Sequence, residues 1–227
     1  MRILHLSDLH FDQKIFYWIK EQQETCDVIC LTGDFVDLSS KAKFPLSEQI
    51  SWIIKFLNSL EKPVFLCSGN HDVEEQNIND ISLDELFNID DIEADFEYEN
   101  STFGESVWLN NVSISGGYLD GAIHEINGIT FGCTSYLSND LSKYRKCDIL
   151  LRHVPPAKTK VSVGPNGDYG CEDLFSDIKN GLLRPRYILC GHIHDPISHV
   201  DELCGVNLLN PGFGYHQGIP KHIYLEL

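Results

Sequence analysis

Asp8-Leu9-His10, Gly33-Asp34, Gly69-Asn70-His71-Asp72, His153 and Gly191-His192-Ile193-His194 follow one another along a short chain. These blocks offer seven side chains able to bind a metal: Asp8, His10, Asp34, Asn70, His153, His192 and His194. One histidine, His71, is left over. A mixture of imidazole, carboxylate and amide donors suits mid-series divalent ions. Two such ions about 3.5–4 Å apart are a common device for in-line attack of water on phosphorus. Taken singly, Asp8 could cap a helix and Asn70 or Asp72 could serve a turn. The ordered set points to a metal centre.

Each block follows a short apolar run, and those runs are the elements that must position it. Ile3–Ser7, Val28–Thr32 and Val64–Ser68 read as buried strands. Between them lie helix-like segments at Ile15–Ile19 and Ile50–Leu57, with Ser47 as a candidate N-cap of the second. This βαβαβ order predicts parallel strands covered by helices. Further strands are expected at Val112–Ser115, Ile123–Ile126, Ile129–Gly132, Asp148–Leu151, Tyr187–Cys190, Val206–Leu209 and His222–Leu225. A hairpin turn is expected at Asn127-Gly128, and a helix over Cys171–Leu182. In open α/β sheets, sites form at the carboxyl ends of parallel strands, which is where every block falls. The whole chain, 1–227, reads as one domain, with an acidic insertion or lid at about 73–111.

The formal charge is −17 and unevenly spread. From Pro63 to Ser142 there are sixteen Asp and Glu and no Lys or Arg. Long nucleic acid is disfavoured as a partner, because its binding draws on many Lys/Arg–phosphate contacts. A small anionic substrate steered to the metals remains compatible with this charge. No apolar run approaches the ~20 residues that span a bilayer. After Met1-Arg2 the chain enters its first strand directly, so no signal peptide is expected. The eight cysteines form no C-x-x-C pair, and Cys30, Cys67 and Cys190 sit inside apolar strands. Reduced thiols and a cytoplasmic location are the expectation.

The blocks, read as D-x-H, G-D, G-N-H-D, H-x-P-P and G-H-x-H, resemble the calcineurin-like metallophosphoesterase superfamily from Asp8 to Asn210. His153-Val154-Pro155-Pro156, Gly170-Cys171 and Leu209-Asn210-Pro211-Gly212 resemble its small, compact phosphodiesterase-like branch. The resemblance implies a four-layer α/β/β/α sandwich with two mixed central sheets. It implies two divalent ions (manganese, iron or zinc), one held by Asp8, His10, Asp34 and His194. The other falls to Asp34, Asn70, His153 and His192, with Asp34 bridging. A bridging water would then lose a proton near neutral pH and attack phosphorus. His71 matches the family's catalytic histidine, a general acid or donor to the leaving oxygen. Its carboxylate partner is Asp37, as in phosphoprotein phosphatases, or Asp72.

Where phosphoprotein phosphatases carry two arginines near the metals, this chain has Leu38 and Ser68. A monoester carries nearly two negative charges and depends more on such a clamp than a diester does. Arg152 or a lid residue could stand in for them in space. The resemblance thus leans to a phosphodiesterase acting on a small phosphoester, including cyclic or other nucleotides, with Phe11, Tyr136 or Tyr215 available to stack a base. A phosphomonoesterase is the alternative, and a non-catalytic scaffold of the same fold the alternative of another class. Arg152, Lys158, Lys160 and His216 are further candidates for the pocket.

Overall fold

A computed structural model describes residues 1–74 and 106–227. Five strands form one sheet: β1 (Arg2–Leu6), β2 (Val28–Thr32), β3 (Val64–Cys67), β4 (Gly117–Tyr118) and the late β11 (Ile223–Glu226). The second sheet holds β5 (Ile123–Ile126), β6 (Ile129–Cys133), β7 (Ile149–Leu151), β8 (Tyr187–Leu189), β9 (Val200–Leu203) and β10 (Val206–Leu209). Their orders are β11-β1-β2-β3-β4 and β9-β10-β8-β7-β6-β5. The central pairs are parallel, and β11, β9 and β5 add antiparallel edges.

Strand alternation decides the layering. On β1, Ile3 joins the core shared by the two sheets, whereas Leu4 and Leu6 face the helices. The shared core takes Val28, Cys30, Phe65 and Cys67 from the first sheet and Phe131, Ile149, Leu151 and Leu189 from the second. Helices α1 (Gln13–Gln22) and α2 (Leu46–Leu57) cover the outer face of the first sheet through Ile15, Phe16, Ile19, Ile53, Phe56 and Leu57. Helix α3 (Glu172–Lys179) covers the second with Leu174 and Ile178. The result is α/β/β/α. A fully buried side chain such as Phe16 is worth about 3–5 kcal/mol against alanine in a core of this kind.

Several boundaries differ from the sequence-based expectations. Helix α1 is capped by Asp12, whose side chain accepts the Lys14 N–H. Pro45, not Ser47, occupies the cap of α2, so Ser47 lies inside its first turn. Helix α3 ends at Lys179, before Leu182, because Asn180 caps it and Gly181 turns the chain at φ +72°. The strand expected at Val112–Ser115 does not form: a 3-10 turn over Trp108–Asn111 precedes an irregular stretch, and pairing resumes only at β4. The Gly117 N–H closes a tight turn onto the Ile114 carbonyl, so this stretch leaves the sheet. Asn127 and Gly128 turn the β5–β6 hairpin as expected, at φ +52° and +79°.

Most of the expected acidic insertion, 75–105, lies outside the described residues. Its ends are tied together by pairing of Val73 with Val107 and Glu74 with Ser106. Trp108 and Leu109, counted in that segment from sequence, are core residues at 2% and 1% exposure.

Candidate metal centre

All the blocks leave the carboxyl ends of parallel strands: Asp8 and His10 after β1, Asp34 after β2, Asn70 and His71 after β3, His153 after β7, and His192 and His194 after β8. The chain does not simply loop out at these points. The N–H groups of Asp8, His10 and Phe11 donate to the carbonyls of Gly33, Asp34 and Phe35 at 3.0, 2.9 and 2.9 Å, lashing the β1 and β2 loops together. The cost is backbone strain. Asp8, His10, Asp34 and His192 all have left-handed φ, at 55°, 40°, 55° and 68°. Each such conformation costs a non-glycine residue on the order of 1–2 kcal/mol, and clusters of them mark functional sites. Two glycines permit the crowding. A Cβ at Gly69 would fall on the Asp34 carboxylate, and one at Gly191 on Ser7 Oγ and Asp8 Oδ2.

Two groups of donor atoms converge on Asp34. In the first, the ligand atoms of Asp8, His10, Asp34 and His194 all lie within 4.8 Å of one another. His10 Nε2 is 3.0 Å from His194 Nε2 and 3.8 Å from Asp34 Oδ2, and His194 Nε2 is 3.5 Å from Asp8 Oδ1. In the second, His153 Nε2 faces Asn70 Oδ1 at 3.1 Å and Asp34 Oδ1 at 3.5 Å, while His192 Nδ1 is 3.0 Å from the same amide oxygen. Asp34 therefore turns Oδ2 to one group and Oδ1 to the other.

The tautomer of His153 decides what this means. Its Nδ1 is 2.7 Å from the Thr32 carbonyl, which can only accept, so Nδ1 carries the proton. In the neutral ring Nε2 then presents a lone pair to two oxygen lone pairs. Such a convergence of acceptors fits a cation and is costly without one. Thr32 is itself fixed by Ser7, whose Oγ donates to the Thr32 carbonyl at 2.7 Å.

Protonation in the metal-free protein follows the same geometry. Burial opposes charge on His153, but the Asp34 and Asp8 charges and the bonds to Asp34 and Thr32 outweigh it and push its pKa up to about 9. Burial would raise Asp34, yet the charge and bond of His153 and the His71 N–H hold it well below the usual carboxylate range. His192 is pushed down to about 4 by burial and the nearby His153 charge, and burial also lowers His10. His194 is raised, chiefly by its bond to Asp8. A proton on His153 thus occupies the place a cation would take, and metal uptake must displace it.

His71 joins the rim without joining the donor groups. Its Nε2 is 4.0 Å from Asp34 Oδ2, its ring stands edge-on to His10 at 4.7 Å, and its backbone N–H donates to Asp34 Oδ1. Neither expected carboxylate partner is brought to its side chain. Asp37 accepts the Ser39 N–H with its carboxylate and donates its own N–H to Gln49. Asp72 is filled by the N–H groups of Asp34, Phe35 and Gly69 and by the Trp108 indole, so it locks the loops that carry Asp34 and Asn70.

Other candidates also have structural partners. Arg152 is buried, donating to the carbonyls of Ser135 and Ser138. Lys158 pairs with Glu172, the Lys160 N–H donates to Asp201, and His216 is exposed on a short hairpin. Thr32, Ser7 and Asn210 brace the site without belonging to its donor groups. Asn210 Nδ2 donates to the carbonyls of Val161, Gly191 and Ile193, bracing the loop that carries His192 and His194. Phe213 packs against both His10 and His194, with ring centroids at 5.1 and 5.0 Å.

Residues 1–196 match the model of the calcineurin-like phosphoesterases. The chain belongs to that family. That family works with divalent metal ions, and Asp8, His10, Asp34 and His194 of this chain form a possible site for one. Among solved structures it is similar to the TT1561 protein of Thermus thermophilus, at 12% identity, 93% coverage of this chain, 88% of that one and a TM-score of 0.55, a likeness of fold alone. A novel archaeal phosphodiesterase is 19% identical over 100% of this chain and 93% of that one, with a TM-score of 0.49, too distant to carry an argument. A comparison with curated proteins returns no match.

Proposed function

We propose that this phosphoesterase is a dinuclear-metal-dependent hydrolase of small phosphodiesters. The observation that carries the reading is the division of Asp34, with one carboxylate oxygen in each donor group. Asp8, His10, Asp34 and His194 would hold one ion, and Asp34, Asn70, His153 and His192 the other. When bound, the metal pair supplies an activated water at neutral pH and neutralises charge on the phosphate. The protein contributes the rest. Thr32 keeps the His153 Nδ1 protonated so that its Nε2 faces inward, and Asp8 is oriented by the His192 N–H. His71, beside Asp34 but outside the donor groups, is placed to give a proton or hydrogen bond to the leaving oxygen. Asp37 does not act through His71 in this reading.

The preference for a diester rests on missing cations. Ser68, where related phosphatases have arginine, is buried with its Oγ on Asp120 at 2.6 Å. The Arg152 side chain, 6% exposed, is committed to backbone carbonyls. Neither site offers a clamp for a dianionic monoester. Among the described residues no helix is long and apolar enough to cross a membrane, and the free cysteines fit a cytoplasmic enzyme. The test is a substrate panel with manganese-loaded protein. The expected result is a higher kcat/KM for bis(4-nitrophenyl) phosphate or a nucleotide diester than for 4-nitrophenyl phosphate. Preference for the monoester by about tenfold across more than one metal would replace this reading with a phosphomonoesterase.

A further inference from the structure

Beside the metal loops lies a cleft of about 360 Å³, within the size range of small-molecule sites. Phe11, the neighbour of His10, and Phe44 form its apolar side. Lys14, Lys41 and Lys43 line it, together with Asp12 and Asp37. Phe11 follows His10 in the chain and its N–H is held by the Phe35 carbonyl, so the cleft borders the loops that carry His10 and Asp34.

The cleft wall is built and held. Gln49, 1% exposed, accepts the Asp37 N–H at 2.8 Å and donates to the carbonyls of Asp37 and Phe44, both at 2.9 Å. One buried amide thus fixes both ends of the loop from 37 to 44. Phe11 stands edge-to-face with Phe44 and Trp52, at 5.7 and 5.5 Å, and Phe44 is the exposed end of this stack at 43%.

Charge gives the cleft its selectivity. Among the described residues the side chains of Lys14, Lys41 and Lys43 are exposed and form no ion pair. The two carboxylates are already engaged, Asp12 by the Lys14 N–H and the Tyr215 hydroxyl, Asp37 by the Ser39 N–H. In a chain of net charge −17, three ammonium groups outnumber the two carboxylates around an exposed aromatic ring and form a local site for an anion that carries a ring. We propose that this cleft seats the non-reacting end of the substrate, an aromatic base laid against Phe44 with a second phosphate among Lys14, Lys41 and Lys43. The favoured substrate class is then a nucleotide diester bearing an anionic group beyond the scissile phosphate. This inference rests on the phosphodiesterase reading.

The test reads binding without turnover. Manganese-loaded protein is titrated by calorimetry with adenosine 3′,5′-bisphosphate, adenosine 5′-monophosphate and ribose 5-phosphate. The bisphosphate should bind at least about tenfold more tightly than the monophosphate, the effect of two or three partly screened charge contacts. K41E/K43E should abolish that preference. Phe44→Ala should abolish the preference of adenosine monophosphate over ribose phosphate. If the double variant does not fold, Lys14→Glu on helix α1 should reduce the same preference. Equal affinity of the native protein for the two adenosine compounds, or a preference untouched by the lysine substitutions, overturns the proposal. The two readings fail separately. Absence of diester hydrolysis with the binding preference intact removes the proposed function and leaves the cleft as a ligand site. Diester hydrolysis without the preference removes the cleft alone.

Discussion

Replacing Asn210 tests whether the metal site depends on a residue that touches no metal. Asn210 is fully buried, gives its amide hydrogens to the carbonyls of Val161, Gly191 and Ile193, and accepts the Gly212 N–H at 2.8 Å. The Gly191 carbonyl also receives the Ile193 N–H, so it keeps a partner when Asn210 is removed. The Val161 and Ile193 carbonyls and the Gly212 N–H have no other partner among the described residues. Asn210→Ala therefore strands three buried polar groups, at about 1–3 kcal/mol each, with water entering the vacated space to relieve part of that. A loss of about 3 kcal/mol follows. For a chain of this size it lowers Tm by roughly 6–12 °C in thermal melts of chelator-treated protein. Because the freed loop carries His192 and His194, one for each donor group, the affinity for both ions should fall about 10–100-fold, as for other residues that orient ligands. Asn210→Asp separates hydrogen bonding from volume. It keeps the shape but points a carboxylate oxygen at the three carbonyls, and should be at least as damaging as alanine. An aspartate variant with native Tm and native metal affinity would refute the reasoning.

Four further outcomes follow from the same geometry. His71→Ala should keep its metals by elemental analysis yet lose about 10²–10⁴ in turnover of an alkyl ester, and less with a nitrophenolate leaving group that needs little protonation. Asp34→Asn should weaken both metal sites in manganese titrations, whereas Asp8→Asn should weaken mainly one. The raised pKa of His153 makes metal uptake a proton release: affinity should rise with pH up to about 9, and calorimetry in buffers of different ionisation enthalpy should detect the released proton at pH 7 to 8. The same shift stabilises the metal-free fold fully below about 6.5, and that stabilisation is lost as pH rises through about 9, so Tm after chelation should decline across that window. Uptake without proton release would contradict the His153–Asp34 pairing.

The donor groups could be anticipated because each pairs a short apolar run with metal-competent residues immediately after it. Parallel pairing then aligns the ends of β1, β2 and β3 in one sheet and of β7 and β8 in the other, and the core between the sheets brings the two sets together. What could not be anticipated depends on backbone atoms. Thr32 acts through its carbonyl, which any residue possesses. Left-handed φ at Asp8, His10, Asp34 and His192 is uncommon for any residue but glycine, and at Asp8, His10 and Asp34 it accompanies the lashing of two loops. The resemblance to phosphoprotein phosphatases implies Asp37 as a partner for His71, whereas here Gln49 holds the Asp37 backbone in the loop that runs to Phe44. The strand expected at Val112–Ser115 shows β-branched residues overruled by tertiary context, as a tight turn leads this stretch away from the sheet.

The count of metal ions per chain tests the central claim most directly. Protein stripped with chelator, reconstituted with manganese, desalted and examined by elemental analysis should carry about two ions per chain, with activity returning in step with metal, as a bridged pair requires. No more than trace metal under those conditions, with manganese, iron and zinc alike, would contradict the account.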